Sequence, residues 1–345
     1  MGSVGHSCRR APGLLGALLL SLLLVACEKR EAVAAWSEGS AGRVDAVEVK
    51  GSRPSRESST AGNGPQLVAH KGAPLRFLSY NVENWLSMDR QRDGRDIGAA
   101  PKPKKERLAV ARLIAKAAPD ILGVSEIGDA DDVRDLQEFL LRAGHPMPHF
   151  HFNRGSDPTR GLALLSRQPI GKTVVRDDLS YRSKGRSYSM QRGILDATVD
   201  SSSGRIRFLG VHLKSKRETD EGDQADMRLH EAHLLRREID IILAKDPQTR
   251  LVVYGDLNDS RQSSAVRTVQ GRGQGSGALL MVALKDSRGD YWTHHWQFED
   301  IYSRIDYVMV SSALRQLIDW DRCAILDGPD VSIASDHRPL LLVFR

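Results

Sequence analysis

The chain predicts a layered α/β fold, and three observations carry that reading. Strand-like and helix-like segments alternate from about Leu75 to Arg345. The strands are short apolar runs bounded by turn residues, whereas the helices space their apolar residues at three and four. Acidic, amide and imidazole residues gather at strand ends, where ligand sites form in α/β sheets.

Taken in order, Phe77–Val82 reads as the first strand. Lys104–Ala118 carries Leu108, Ala111, Ile114 and Ala115 at helical spacing, and Pro119 stops it. Ile121–Val124 is a buried strand. Asp132–Ala143 is an amphipathic helix ended by Gly144. Leu162–Leu165, Ile194–Val199 and Ile206–Leu213 are further strands, followed by a long helix over Ala225–Ala244. Leu251–Tyr254, Ile305–Val310 and Pro339–Phe344 complete the alternation. One domain of about 270 residues accommodates all of it.

The 345 residues are 40% hydrophobic and 27% charged, which excludes a disordered or fibrous chain. Fifty Lys and Arg against 44 Asp and Glu leave +6, which permits a polyanionic partner without demanding one. Three cysteines are too few for a disulfide scaffold. Cys323, in an apolar stretch, reads as a small buried hydrophobe.

Residues 1–26 read as an export signal. Arg9 and Arg10 precede an apolar run from Leu14 to Val25, too short to span a bilayer. The run ends in Leu24-Val25-Ala26-Cys27, which resembles the bacterial lipobox, so Cys27 is expected to be acylated and to anchor the chain in a membrane. Glu28, in place of the Asp that favours inner-membrane retention, directs the lipoprotein to the outer membrane if the cell is Gram-negative. Residues 27–72 mix Gly, Ser and charges of both signs without periodicity and read as a tether with a reach of about 35–40 Å. Residues 73–345 form the body.

Asn81 and Glu83 follow the first strand and Glu126 the second. His212 ends another, Asp256 and Asn258 follow Leu251–Tyr254, Asp306 lies in an apolar strand, and Asp336-His337 precede the last. Singly, each has a plain structural use. Gly255-Asp256-Leu257-Asn258 suits a turn, and Glu126 suits a helix cap. A carboxylate among apolar strand residues, as at Asp306, is costly unless paired.

As an ordered set these motifs resemble the endonuclease/exonuclease/phosphatase superfamily. The matching stretches are Ser79–Glu83, Asp120–Glu126, Gly161–Ser166, His212–Ser215, Gly255–Asn258, Arg304–Tyr307 and Ser335–Leu340. The resemblance implies a four-layered sandwich, with two mixed β-sheets packed face to face and helices outside. It implies hydrolysis of a phosphate ester by activated water, with Mg²⁺ or Mn²⁺ held by Glu126, assisted by Asn81, Glu83 and Asp336. His337, oriented by Asp306, and Asp256 are the candidates to take the water's proton. His212 is the candidate general acid, and Asn258 and Arg192 are candidates to bind the phosphate.

The substrate is less sharply marked. Basic loops at Arg90–Lys105, Arg182–Arg186 and Lys214–Arg217, with nearby aromatic residues, suit a nucleic-acid backbone. The first expectation is therefore an exported nuclease acting as a monomer. A phosphatase, or a phosphodiesterase acting on phospholipid or sugar phosphate, is the alternative. A surface lipoprotein that only binds is the third reading. The chain has no long apolar hairpin that would favour insertion into a bilayer.

Overall fold

Strands that are apolar on both faces need cover on both sides. In a computed structural model, described for residues 74–345 except 93, 202–203 and 273–276, the strands obtain that cover by pairing two sheets. The signal, Cys27 and the tether lie outside the described residues. In chain order the strands of the two sheets are β1 (Leu75–Trp85), β2 (Ile121–Ile127), β3 (His149–Asn153), β4 (Gly161–Ser166), β5 (Ile170–Val174) and β6 (Leu195–Ser201). They continue with β7 (Gly204–His212), β8 (Leu251–Asp256), β9 (Leu280–Met281), β10 (Asp306–Val310), β11 (Ala324–Ile325) and β12 (Leu340–Phe344). The helices are α1 (Lys104–Ala117), α2 (Ala130–Arg142), α3 (Gln224–Lys245), α4 (Ser264–Gln270) and the short α5 (Val331–Ala334).

The first sheet runs β11-β12-β1-β2-β4-β3 and the second β9-β10-β8-β7-β6-β5. Each is mixed and contains a single parallel pair, β1 with β2 and β7 with β8; the other neighbours are antiparallel. A parallel pair requires a crossover, and α1 and α3 supply the two.

Side-chain alternation sorts the core into three layers. Phe77, Leu164, Phe208, Val252, Val308 and Leu342 meet between the sheets. Leu78, Val124 and Val343 turn outward onto α1 and α2, through Ile114, Val133 and Leu136. Leu209, Val253 and Met309 pack outward onto α3 and α4, through Leu235, Ile239 and Val266. The four layers expected from the sequence are therefore present.

Several elements differ in detail. α1 buries Ala109, Val110, Leu113 and Ala117 beside Ala111 and Ile114, and Leu108 is 39% exposed. α2 begins before Asp132, because Asp129 accepts from the Asp131 and Asp132 amides while Asp132 reaches back to the Asp129 amide. Of the three basic stretches, Lys214–Arg217 is a loop as expected, whereas most of the other two forms two-stranded ribbons, Met88–Arg92 with Arg95–Ala100 and Ser180–Ser183 with Arg186–Ser189, with Lys104 and Lys105 opening α1. A third ribbon, His294–Trp296 with Ile301–Ser303, exposes Trp296, Ile301 and Tyr302, and Phe298 in its turn is 83% exposed. This short aromatic ribbon escapes a reading that looks only for a long apolar hairpin.

Between the sheets, Tyr254 fills space left by two glycines. A Cβ at Gly210 would stand 2.6 Å from its hydroxyl, and one at Gly123 of the facing sheet would overlap the ring. The Tyr254 ring meets Phe77 edge-on at 4.9 Å, while its buried hydroxyl has no hydrogen-bond partner. Tyr254→Phe is therefore expected to leave the denaturation midpoint unchanged or raise stability by about 1 kcal/mol, since it removes an unsatisfied polar group. Gly123→Ala is expected to cost about 1–3 kcal/mol by overpacking. Chemical denaturation of both variants measures the pair, and a destabilised Tyr254→Phe would contradict this account of the intersheet core.

Candidate active site

The site assembles where the two parallel pairs end. In the second sheet, the register sets His212 beside Asp256 and Asp256 opposite Asp306. Three polar side chains thus lie in one row across three adjacent strands. In the first sheet, Asn81 pairs with Ser125, and the register breaks immediately afterwards on both strands. At that break Glu83, Asn84 and Glu126 adopt positive φ of 48°, 54° and 62°, as does Asn258 (53°) in the turn after β8. The left-handed region is costly for residues with a Cβ, and non-glycine residues persist there where the surrounding contacts hold them.

Asn81 joins the two sheets. Its Oδ1 accepts the Glu83 amide proton at 3.0 Å, which fixes the amide orientation. Its Nδ2 donates to Glu126 Oε1 (3.1 Å) and Asp256 Oδ2 (3.2 Å) and lies 3.3 Å from His337 Nε2. The other Glu126 oxygen accepts the Asn84 amide at 3.1 Å. Ser335 locks the last strand's approach by donating to the Asn81 carbonyl (2.9 Å) and accepting the His337 amide (3.0 Å).

His337 Nδ1 is 2.8 Å from Asp306 Oδ2, and its Nε2 is 3.7 Å from Asp256 Oδ2. Burial alone would lower this imidazole's pKa, but the Asp306 carboxylate overrides it and holds the ring well above its ordinary value. Burial, and then Asp306 across the strand pair, push Asp256 up to about 8. His212 sits 3.6 Å from Asp256, and its buried Nδ1 has no partner. Burial, then Arg192, His337 and Arg160, hold its pKa well below the ordinary value. It is neutral, so an imidazolium acid at this position is not the resting form. Asn258 donates its backbone amide to Asp256 Oδ1 (2.8 Å) and Nδ2 to the Leu213 carbonyl (3.0 Å).

Of the remaining sequence candidates, Asp336 is held below its usual range: burial would raise it, but His294 and His337 prevail. Glu83 stands at the rim, 38% exposed and 3.4 Å from Lys102, with its pKa raised by burial and by Asp336. Arg192 is buried, not a surface residue, and it pairs with Asp157 (3.2 Å) and Gln191 (2.7 Å). Two of its nitrogens are therefore engaged within the protein, while its buried Nε has no hydrogen-bond partner.

The sequence did not single out Arg160 and His294. Arg160 donates to Asn84 Oδ1 at 2.8 Å and lies 4.0 Å from Glu126. His294 lies against His337 with ring centroids 4.7 Å apart and the ring planes tilted by 52°. Its signal was the His294-His295 pair, flanked by the aromatic residues already noted.

Four carboxylates, those of Glu126, Asp256, Asp306 and Asp336, converge around His337. An oxygen-rich, acid-excess set of this kind fits a hard divalent cation. Glu126 is the best-presented ligand, because its carboxylate is oriented by neutral donors. Asp256, Asp306 and His337 also offer ligand atoms within 4.8 Å of one another.

The two raised groups give a signed expectation for the metal-free protein. A raised Asp256 makes the native state bind more protons than the unfolded chain, so stability falls as pH rises from its unfolded value toward about 8. Raised His337 acts in the same direction: its contribution is complete below the unfolded value and is lost as pH passes the folded one. Buried imidazoles with lowered pKa, His212 among them, act the other way up to their unfolded value of 6.5, so thermal melts from about pH 7 to 8.5 are expected to show the falling Tm, and Asp256→Asn is expected to flatten that slope. A wild-type slope that rises would overturn this charge balance.

Three comparisons bear on this arrangement. A 5'-tyrosyl-DNA phosphodiesterase of Caenorhabditis briggsae is 24% identical over 204 residues, 58% of this chain and 49% of that protein, so the chain spans about half of that relative. An endonuclease/exonuclease/phosphatase family protein from Leptotrichia buccalis C-1013-b shares the fold at TM-score 0.53 and 16% identity, covering 79% of this chain and 99% of that one. The human Nocturnin catalytic domain does so at TM-score 0.54 and 19% identity, covering 79% and 94%. The profile of the Endonuclease/Exonuclease/phosphatase family matches residues 78–337, from the first strand to the imidazole that Asp306 orients. On that match, which spans every residue of the site, the chain belongs to the Endonuclease/Exonuclease/phosphatase family.

Proposed function

We propose that this protein is an exported, lipid-anchored phosphodiesterase that hydrolyses nucleic acid with a divalent metal. The observation that carries the reading is the Asp306–His337–Asp256 row, linked through Asn81 to Glu126. Glu126, with Asp336 and Glu83 beside it, would hold Mg²⁺ or Mn²⁺, which when bound neutralises charge on the phosphate and the leaving oxygen. Asp306 holds the Nδ1 proton of His337 and leaves Nε2 directed at the space shared with Asp256 Oδ2. His337 and Asp256 each hold a proton in the metal-free site, and a divalent cation bound beside them would favour its loss; His337 Nε2 or Asp256 Oδ2, once deprotonated, takes the proton of the attacking water. Asn258 has one amide hydrogen left for a phosphate oxygen. His212, neutral and buried, serves as a hydrogen-bond partner to the phosphate.

Nucleic acid is supported by the rim. Arg92, Arg95, Lys104 and Lys105 are exposed on or after the first ribbon. Arg90, Lys102 and Lys214 are instead engaged within the protein, with backbone carbonyls, Glu106 and Glu221 respectively. The exposed aromatics of the third ribbon offer faces on which bases stack. The curated relative is itself named a phosphodiesterase acting on tyrosyl-DNA. A phospholipid substrate is the second reading, favoured by the exposure of Phe298. Export and lipidation rest on the Arg9–Cys27 pattern.

The full-length chain is expected to cleave single-stranded DNA or RNA in Mg²⁺ or Mn²⁺ and to lose that activity in EDTA. Glu126→Ala, Asp256→Ala and His337→Ala are each expected to lower kcat by about 10²–10⁴ with the fold retained by circular dichroism. Activity surviving all three would refute the site. Binding to nucleic acid is expected to weaken steeply with salt. Hydrolysis confined to phospholipid vesicles would select the second reading. Cys27→Ser is expected to move the protein from the membrane fraction to the soluble fraction, and unchanged membrane association would refute lipidation at that residue.

A further inference from the structure

The third ribbon brings a third imidazole, beside those of His337 and His212, to the edge of the site, and no step proposed above uses it. His294 Nε2 is 3.6 Å from Asp336 Oδ2, and His337 Nε2 is 3.9 Å from Asp336 Oδ1. One ligand atom from each of the three lies within 4.8 Å of the others. We propose that His294, Asp336 and His337 form a second metal site, sharing Asp336 with the Mg²⁺ ligand set, that takes Zn²⁺ or a similar borderline cation, and that its occupation switches hydrolysis off.

Three features support the assignment. The outer nitrogen of each ring is anchored: His294 Nδ1 lies 3.2 Å from Ser303 Oγ, and His337 Nδ1 lies 2.8 Å from Asp306 Oδ2. Metal-binding imidazoles are oriented in this way, with the other ring nitrogen facing the ion. The backbone also holds the pair in register. His294 and His337 are antiparallel bridge partners, the His295 amide donates to the Asp336 carbonyl at 2.9 Å, and the Arg338 amide donates to the Thr293 carbonyl at 2.7 Å. Finally, the Asp336 side chain is 36% exposed and that of His294 20%, which leaves a solvent side for a fourth ligand.

The donor set decides the metal. Two imidazoles and one carboxylate suit Zn²⁺, whereas Mg²⁺ prefers oxygen. Zinc bonds of about 2.0–2.1 Å imply tetrahedral edges near 3.4 Å, so ligand atoms within 4.8 Å of one another need close by at most about 1.4 Å. Occupation would engage His337 Nε2, one of the two candidate proton acceptors, and the carboxylate of Asp336. The inhibitory consequence rests on the phosphodiesterase reading, whereas binding does not.

The test uses the full-length chain, stripped of metal and then held in excess Mg²⁺. Zn²⁺ is titrated in competition with a chromophoric chelator, and Co²⁺ is added separately to read the coordination geometry from its visible spectrum. One equivalent of Zn²⁺ is expected to bind, with tetrahedral or five-coordinate Co²⁺ absorption. His294→Ala is expected to weaken Zn²⁺ at least about tenfold, and Ser303→Ala about as much or less, with unchanged melting temperatures. Wild-type Zn²⁺ affinity in His294→Ala would overturn the site. Zn²⁺ is expected to inhibit Mg²⁺-supported phosphodiester hydrolysis by the wild type, while His294→Ala keeps its turnover at the same Zn²⁺ concentration. Equal inhibition of both would overturn the switch. Zinc binding lost in His294→Ala, in a chain that hydrolyses no phosphodiester, would leave the site standing and refute the proposed function instead.

Discussion

Two carboxylates face each other across adjacent buried strands, and the rest of the site answers that fact. Asp256 and Asp306 are register partners, and two like charges so placed cannot both ionise without a cation or a shared proton. His337 supplies the first compensation, bonded to one and directed at the other. Its position obliges the chain to enter the last strand from this edge, and Ser335 fixes that entry by holding both Asn81 and His337. A buried repulsion therefore orders three separate stretches of backbone. It also leaves the site short of positive charge, the condition under which a metal adds most.

The second consequence is that structure and chemistry share one side chain. Asn81 belongs to the first sheet, yet it donates to Asp256 of the second as well as to Glu126 of its own. The sandwich is closed at this end by polar contacts, whereas in its middle it is closed by Phe77, Phe208 and Tyr254. Four non-glycine residues in left-handed conformations cluster around the polar end. That cost is tolerable because the aromatic layer and the two helical layers carry the stability.

Much of the architecture was legible because the central strands are uniform apolar runs and the crossovers are amphipathic. β1, β2, β8 and β12 all fell where those runs lie. β3 and β5 did not, because His149, His151, Lys172 and Thr173 interrupt the apolar pattern on strands at the sheet edges, where one side needs no partner. The site was legible through residue types at strand ends, and the fold brings Asn81, Glu126, His212, Asp256, Asp306 and His337 together from 256 positions of separation. What the sequence concealed was commitment. Arg192 and Lys102 look like free cations until Asp157 and Glu106 are placed beside them. His294 was hidden for the opposite reason: its importance depends on a strand bridge to a residue 43 positions away, which local pattern does not reveal.

The three ribbons differ in one respect with consequences for how such an enzyme can diversify. The first two form their own ladders and contribute no strand to either sheet, so drift in their length or composition leaves the sheet register intact. Their freedom lies in their turns, since Arg90 of the first bonds the Asn84 and Leu86 carbonyls and Tyr181 of the second lies in the core. The third is tied to His337 by backbone, and an insertion there would shift the imidazole that Asp306 orients. Tolerance to change is therefore unevenly distributed around the rim, confined to the turns on two sides and smallest on the third.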